Sequence, residues 1–180
     1  MSLPTRLTAL LAALMLVACA TTQQRDATLG GDTLSGRLAV RVEATPEAAA
    51  RSENAAFELQ GNAQAGRLNL STPLGSVVAQ ARWAPGSVVL ATPQGERNFS
   101  DLDALTREIL GESLPVGALF DWLRGRPWPG APSVATAAPT EPGFEQLGWV
   151  VSLARFNEGW VTARRDLSPV VTVRAKLDRP

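Results

Sequence analysis

The side chains able to do chemistry are few. The 180 residues include no histidine, no tyrosine and a single cysteine, Cys19. That excludes histidine general-base catalysis, histidine triads and most zinc sites. Asp101 and Asp103 fall where a helix should begin, and Glu108 and Asp121 fall on helices as solvated side chains. No two carboxylates show a spacing that suggests a paired-acid glycosidase. Ser76 and Lys176 are the members of a conceivable Ser–Lys pair, with nothing in the sequence to bring them together. Pro73-Leu74-Gly75-Ser76 is not a phosphate loop, because no glycine-rich turn joins a strand to a helix there. The chain reads as a non-enzyme that needs no cofactor and no metal.

The N-terminus carries a different chemistry. Arg6 is the one charge in residues 1–18, and an apolar run from Leu7 to Val17 follows it. A membrane-spanning helix needs roughly 20 apolar residues, so this run has the length of a signal peptide instead. It ends in Leu16-Val17-Ala18-Cys19, an aliphatic residue and two small ones before a cysteine. This tetrapeptide resembles the bacterial lipobox. The resemblance implies that residues 1–18 are removed and that Cys19, acylated, begins the mature protein. An unpaired thiol is a liability in an oxidising compartment, and a lipid cap removes it. Ala20 stands where an aspartate would signal inner-membrane retention, which points to the outer membrane.

Once Arg6 is gone the chain is within one charge of neutral. No large positive field exists to attract nucleic acid. The basic residues are arginines throughout, apart from Lys176.

Residues 19–33 are small and polar and read as a tether, with a single domain over residues 34–180. From residue 34 the period is two: Leu34, Gly36, Leu38, Val40 and Val42 share one face, the mark of a half-buried strand. Residues 44–54 break the pattern and suit a loop or a short exposed helix. Further strands follow around Phe57 and Leu59, Leu68 and Leu70, Val77 to Trp83, and Val88 to Ala91. Short turns join them, as in an antiparallel meander. At residue 100 the period becomes helical. Ser100 is the expected N-cap, Leu102, Leu105 and Ile109 share a face, and Gly111 ends the helix. A second helix should start at Pro115 and end at Gly125. Residues 126–143, rich in proline, glycine and alanine, predict a long loop without regular structure. Strands return at Trp149–Leu153, Trp160–Arg164 and Val170–Leu177. The total is eight or nine strands and two helices. The natural packing is mostly β with α: one strongly curved antiparallel sheet covered by the helices. Of the five tryptophans, Trp149 and Trp160 read as core, and Trp122 and Trp128 as pins for the helix end around Gly125.

Two segments carry more than patterning. One runs from Gly66 to Ser76, GRLNLSTPLGS; the other from Leu110 to Pro127, with Leu114-Pro115, Leu119, Trp122-Leu123, Gly125 and Pro127. Together with Gly36-Arg37-Leu38-Ala39-Val40-Arg41 and the strand at Gly148-Trp149, they resemble the LolB family of outer-membrane lipoprotein receptors. The resemblance covers roughly residues 34–177. It implies an open β-barrel closed by helices around an apolar cavity. It implies that a periplasmic carrier, LolA, delivers an acylated lipoprotein, which the receptor passes to the lipids of the outer membrane, acting as a monomer. A lipid or glycolipid carrier of the same fold is the alternative. Candidate cavity residues are Leu38, Val40, Phe57, Leu59, Leu68, Leu70 and Trp149; the same residues would equally fill a dry core. Leu74, in a Pro-x-Gly turn, is the position that the family uses to enter the membrane. Taken without the family, it is one exposed leucine among the many on any surface.

Overall fold

The computed structural model describes residues 33–178. The expected signal peptide, the acylated Cys19 and the tether up to residue 32 lie outside the described residues.

Eleven strands form one antiparallel sheet. The first six are β1 (Leu34–Val42), β2 (Arg51–Gly61), β3 (Gly66–Ser71), β4 (Val77–Ala84), β5 (Ser87–Thr92) and β6 (Gly95–Phe99). Helices α1 (Leu102–Leu110) and α2 (Val116–Trp122) come next. The chain then adds β7 (Ser133–Thr136), β8 (Gly143–Gln146), β9 (Trp149–Ser152), β10 (Trp160–Arg165) and β11 (Val171–Leu177). Strand order is β6-β5-β4-β3-β2-β1-β11-β10-β9-β8-β7, so β6 and β7 are the edges. The joint between the two runs is β1 against β11, with Val40 opposite Val173 and Leu38 opposite Ala175.

The sheet is curled around its helices. Trp83 of β4 meets Phe120 of α2 edge to face at 5.6 Å. Trp122, two residues on, meets Phe144 of β8 at 6.3 Å and Trp149 of β9 at 6.1 Å. One short helix therefore touches strands from both ends of the sheet, and Trp122 is fully buried between them. Aromatic pairs of this kind add about 0.5–1.5 kcal/mol beyond the area that they bury.

The mostly-β architecture with two helices follows the sequence periods, and several local expectations change. Regular structure does occur in 126–143, because Ser133–Thr136 pairs with Gly143–Gln146. β6 was hidden because Glu96, Arg97 and Asn98 leave no apolar face to detect; these charges suit an edge strand, where they discourage pairing with another chain. β2 begins at Arg51, inside the stretch expected to be loop or helix, because pairing with β1 holds it there.

The N-cap of α1 is Asp101 instead of Ser100. Its carboxylate accepts the Ala104 N–H at 2.6 Å, and the Ser100 hydroxyl donates to it at 2.9 Å. The hydrogen bond from the Ala104 backbone N–H, then the one from the Ser100 hydroxyl, holds the Asp101 carboxyl below its ordinary pKa. A carboxyl with a depressed folded-state pKa stabilises the fold above its unfolded pKa and loses that effect as pH falls through the lower value. Asp101→Ala should therefore lower the melting temperature by a few degrees at neutral pH. Thermal melts across pH should show the gap closing below the carboxylate range.

Candidate functional site

Between the sheet and the helices lies a cavity of about 280 Å³. Leu38 and Val40 of β1, Phe57 and Leu59 of β2, and Leu68 and Leu70 of β3 line one side of it. Ala79 and Ala81 of β4 and Leu90 of β5 continue that wall. On a flat sheet β1 and β5 would stand roughly 19 Å apart, so a shared cavity requires the curl described above. The roof comes from the helices, with Leu105, Ile109 and Leu110 of α1 and Val116 and Leu119 of α2.

Three polar side chains reach the lining: Glu53, Asn54 and Thr106. Glu53 and Asn54 are exposed at the start of β2. Thr106 is buried, but its hydroxyl donates to the Asp103 carbonyl at 3.2 Å and accepts the Leu114 N–H at 3.0 Å. The interior thus presents carbon, with its one buried hydroxyl already satisfied. Enclosed apolar cavities of about 150 Å³ stay dry and hold benzene; this one shares the carbon lining and opens to solvent.

The mouth lies at one end of the sheet. Leu70 lies next to the end of β3, Ala79 lies opposite it near the start of β4, and Asn54 and Ala55 lie near the start of β2. Ile109, in the last turn of α1, is 43% exposed there. Val78 also lines the cavity and is 41% exposed. The period of two expects Val77 to share the inner face with Ala79 and Ala81. A β-bulge changes this: Leu70 faces Ala79 and Ser71 faces Val77, leaving Val78 as the extra residue.

The same end carries the turn between β3 and β4. The Gly75 N–H donates to the Thr72 carbonyl at 2.9 Å, and the Thr72 N–H to Ser76 O at 2.8 Å. The Ser76 N–H also reaches the Thr72 hydroxyl at 3.2 Å. Pro73 pre-sets the turn, and Gly75 takes its left-handed φ of 87°. Held in this frame, Leu74 is 95% exposed, with Val77 beside the turn at 58%.

Six of the seven candidate cavity residues share the lining, and Trp149 does not. Its ring is 3% exposed and packs under α2 against Trp122, with the Arg165 guanidinium 5.6 Å from its centroid. Arg165 also pairs with Glu112 at 2.7 Å, tying β10 to the α1–α2 connection.

Sequence reasoning passed over Gln146, a polar residue in a stretch that shows no periodicity. Its amide is buried and makes four bonds. It accepts from Trp122 Nε1 at 2.7 Å and the Trp128 N–H at 2.9 Å. It donates to the carbonyls of Trp128 at 2.7 Å and Ala131 at 2.8 Å. This one side chain fastens the proline-rich loop to the end of α2. Ile109 was legible as part of a helical face; Val78 had no local signal.

Among the described residues no group of acidic and cysteine side chains is placed to hold a metal ion, and no helix is long and apolar enough to cross a membrane. Comparison with known proteins identifies the family. The family model described as "Outer membrane lipoprotein LolB" matches residues 33–175. A protein of Bordetella pertussis named outer-membrane lipoprotein LolB is 34% identical over 176 residues, covering 92% of this chain and 88% of its own length. One of that name from Cupriavidus metallidurans is 33% identical over 125 residues, 68% of this chain and 59% of its own. Another, from Ralstonia nicotianae, is 36% identical over 117 residues, 63% of this chain and 54% of its own. A match that runs through the cavity strands, the Leu74 turn and both helices places this chain in the outer-membrane lipoprotein LolB family.

Proposed function

We propose that this chain is an outer-membrane receptor that takes acylated lipoproteins from the periplasmic carrier LolA and inserts them into the inner leaflet of the outer membrane. The observation that carries this reading is one end of the fold, where the mouth of a carbon-lined cavity and a protruding leucine stand together. The curled sheet serves as an open β-barrel with α1 and α2 as its cover, and Leu38, Val40, Phe57, Leu59, Leu68 and Leu70 receive acyl chain. Residues 1–18 act as the signal peptide, acylated Cys19 anchors the protein, and residues 19–33 tether the domain, which works as a monomer.

The energetics need no cofactor and no bond-breaking step. Each methylene withdrawn from water contributes about 0.8 kcal/mol, so a cargo chain leaves one apolar site only for another. The cavity is roughly twice the size of one that holds benzene. The bilayer, with far more apolar volume, is the downhill destination. Leu74 enters the bilayer first and opens that path.

The test is a transfer assay. Residues 19–180 carrying Cys19→Ala are mixed with a LolA–lipoprotein complex and then with liposomes. The expected result is cargo moving onto the domain and on into the liposomes. Cargo that stays on LolA overturns the reading.

A further inference from the structure

Five basic residues gather on the outer face of β1, β11 and β10. Arg37 and Arg41 alternate with the inward residues Leu38, Val40 and Val42 on β1, and Arg174 alternates with Val173 and Ala175 on β11. Arg174 stands opposite Ala39, between the two arginines of β1, and also opposite Thr162. Lys176 stands directly opposite Arg37, and Arg164 is reached from Arg41 through Thr172. Cross-strand positions normally pair unlike charges, and like charges directly opposite each other destabilise a sheet. This face does the reverse.

Its cations are also poorly neutralised. Arg164 is shared with Asp166 at 2.6 Å and Glu43 at 3.8 Å. The Lys176 ammonium donates to the Glu158 carbonyl and lies 5.6 Å from the centre of the Trp160 ring. Arg37, Arg41 and Arg174 are exposed and have no acidic partner within ion-pair distance among the described residues. Elsewhere on the surface arginines do find carboxylates, as in Arg82–Glu96, Arg97–Glu108 and Arg126–Asp121. In a chain with no net charge, this face holds a local excess of positive charge.

Register places the face relative to the turn. Arg37 is level with Ala56, and Ala56 with Ser71. From that level β1 runs on to Arg41, while β3 runs on in the same direction into the Leu74 turn. Arg41 is thus the basic residue level with the Leu74 turn, with Arg174 and then Arg37 behind it on the same face. Arginine, with its planar array of donors, is suited to phosphate.

We infer that this face docks on an anionic phospholipid surface, with Arg37, Arg41 and Arg174 on headgroup phosphates while Leu74 enters the acyl layer. The inference rests on the insertase reading for which end of the molecule faces the bilayer. Attraction to an anionic leaflet falls off within a Debye length, so docking weakens as salt rises.

The experiment uses residues 19–180 with Cys19→Ala, which hold every described strand and helix, and compares them with a form that adds Arg37→Gln, Arg41→Gln and Arg174→Gln. Binding is measured to vesicles of phosphatidylglycerol with phosphatidylethanolamine, and to phosphatidylcholine vesicles. The expected result is salt-sensitive preference for the anionic vesicles, reduced on the order of a hundredfold by the triple substitution. The triple variant should melt no lower than the parent, since the Arg37–Lys176 opposition is relieved. Equal binding of parent and variant, or no preference between vesicles, overturns the inference. So does a variant that binds vesicles normally but takes cargo from LolA more slowly, because the face then serves an acidic protein. If the parent prefers anionic vesicles but moves no cargo, the docking surface stands and the insertase reading falls.

Discussion

Leu74→Glu should melt at the wild-type temperature and take cargo from LolA at the wild-type rate, yet release it into liposomes ten- to a hundredfold more slowly. Stability is spared because the side chain is 95% exposed. The turn itself is held by backbone bonds and the Thr72 hydroxyl, none of which involves the leucine side chain. Acceptance is spared because Leu74 is not part of the cavity lining. Release suffers because an acidic side chain within the hydrocarbon costs about 2.5–3.5 kcal/mol where leucine is mildly favourable. Near the interface the penalty is smaller, hence the range. The check is single-turnover transfer, with acceptance and release timed separately. Equal release rates would remove Leu74 from the mechanism and leave the cavity as sole carrier of the function.

Gln146→Ala should be the most destabilising single change on the far side of the fold, at about 3–5 kcal/mol, with a melting temperature roughly 10 °C lower. The substitution orphans four groups at once: the Trp122 and Trp128 donors, and the carbonyls of Trp128 and Ala131. Trp122 is fully buried, so water does not replace the lost acceptor. Trp122→Phe should cost less, because it removes a donor together with its own need for a partner. Chemical denaturation of the three proteins checks the order. If Gln146→Ala lost no more than about 1 kcal/mol, the loop would be held by something other than this amide.

The two predictions concern different parts of the fold, the β3–β4 turn and the β8 strand under the end of α2. Toward Leu70, Val78 and Ile109 the structure leaves apolar side chains exposed at an opening. Toward Gln146, Trp122 and Trp149 it buries the Trp122, Phe144 and Trp149 rings and gives the Gln146 amide four hydrogen bonds.

Much of this was legible in the residues themselves. Alternation in Leu34–Val42 and Val171–Leu177 reports which side of a strand is buried, because successive side chains point to opposite faces. The shift to a helical period at Leu102, Leu105 and Ile109, and the Thr-Pro-Leu-Gly turn, are equally local, and both stand where the sequence placed them. So is the inward direction of Leu38, Val40, Phe57, Leu59, Leu68 and Leu70, although alternation alone does not separate a pocket wall from a filled core. Tertiary structure decided what local pattern does not encode. A bulge turned Val78 to the mouth, because the register between β3 and β4 slips by one residue. Trp149 obeyed its strand's alternation yet went under α2 instead of into the cavity, because the curl of the sheet sets what each inward side chain meets. Edge strands β6 and β7 carry little apolar signal and exist through pairing with a neighbour. Arg37 and Arg174 became neighbours because β1 and β11, at opposite ends of the chain, pair. Periodicity describes one element at a time; a cavity, a mouth and a charged face belong to several elements at once.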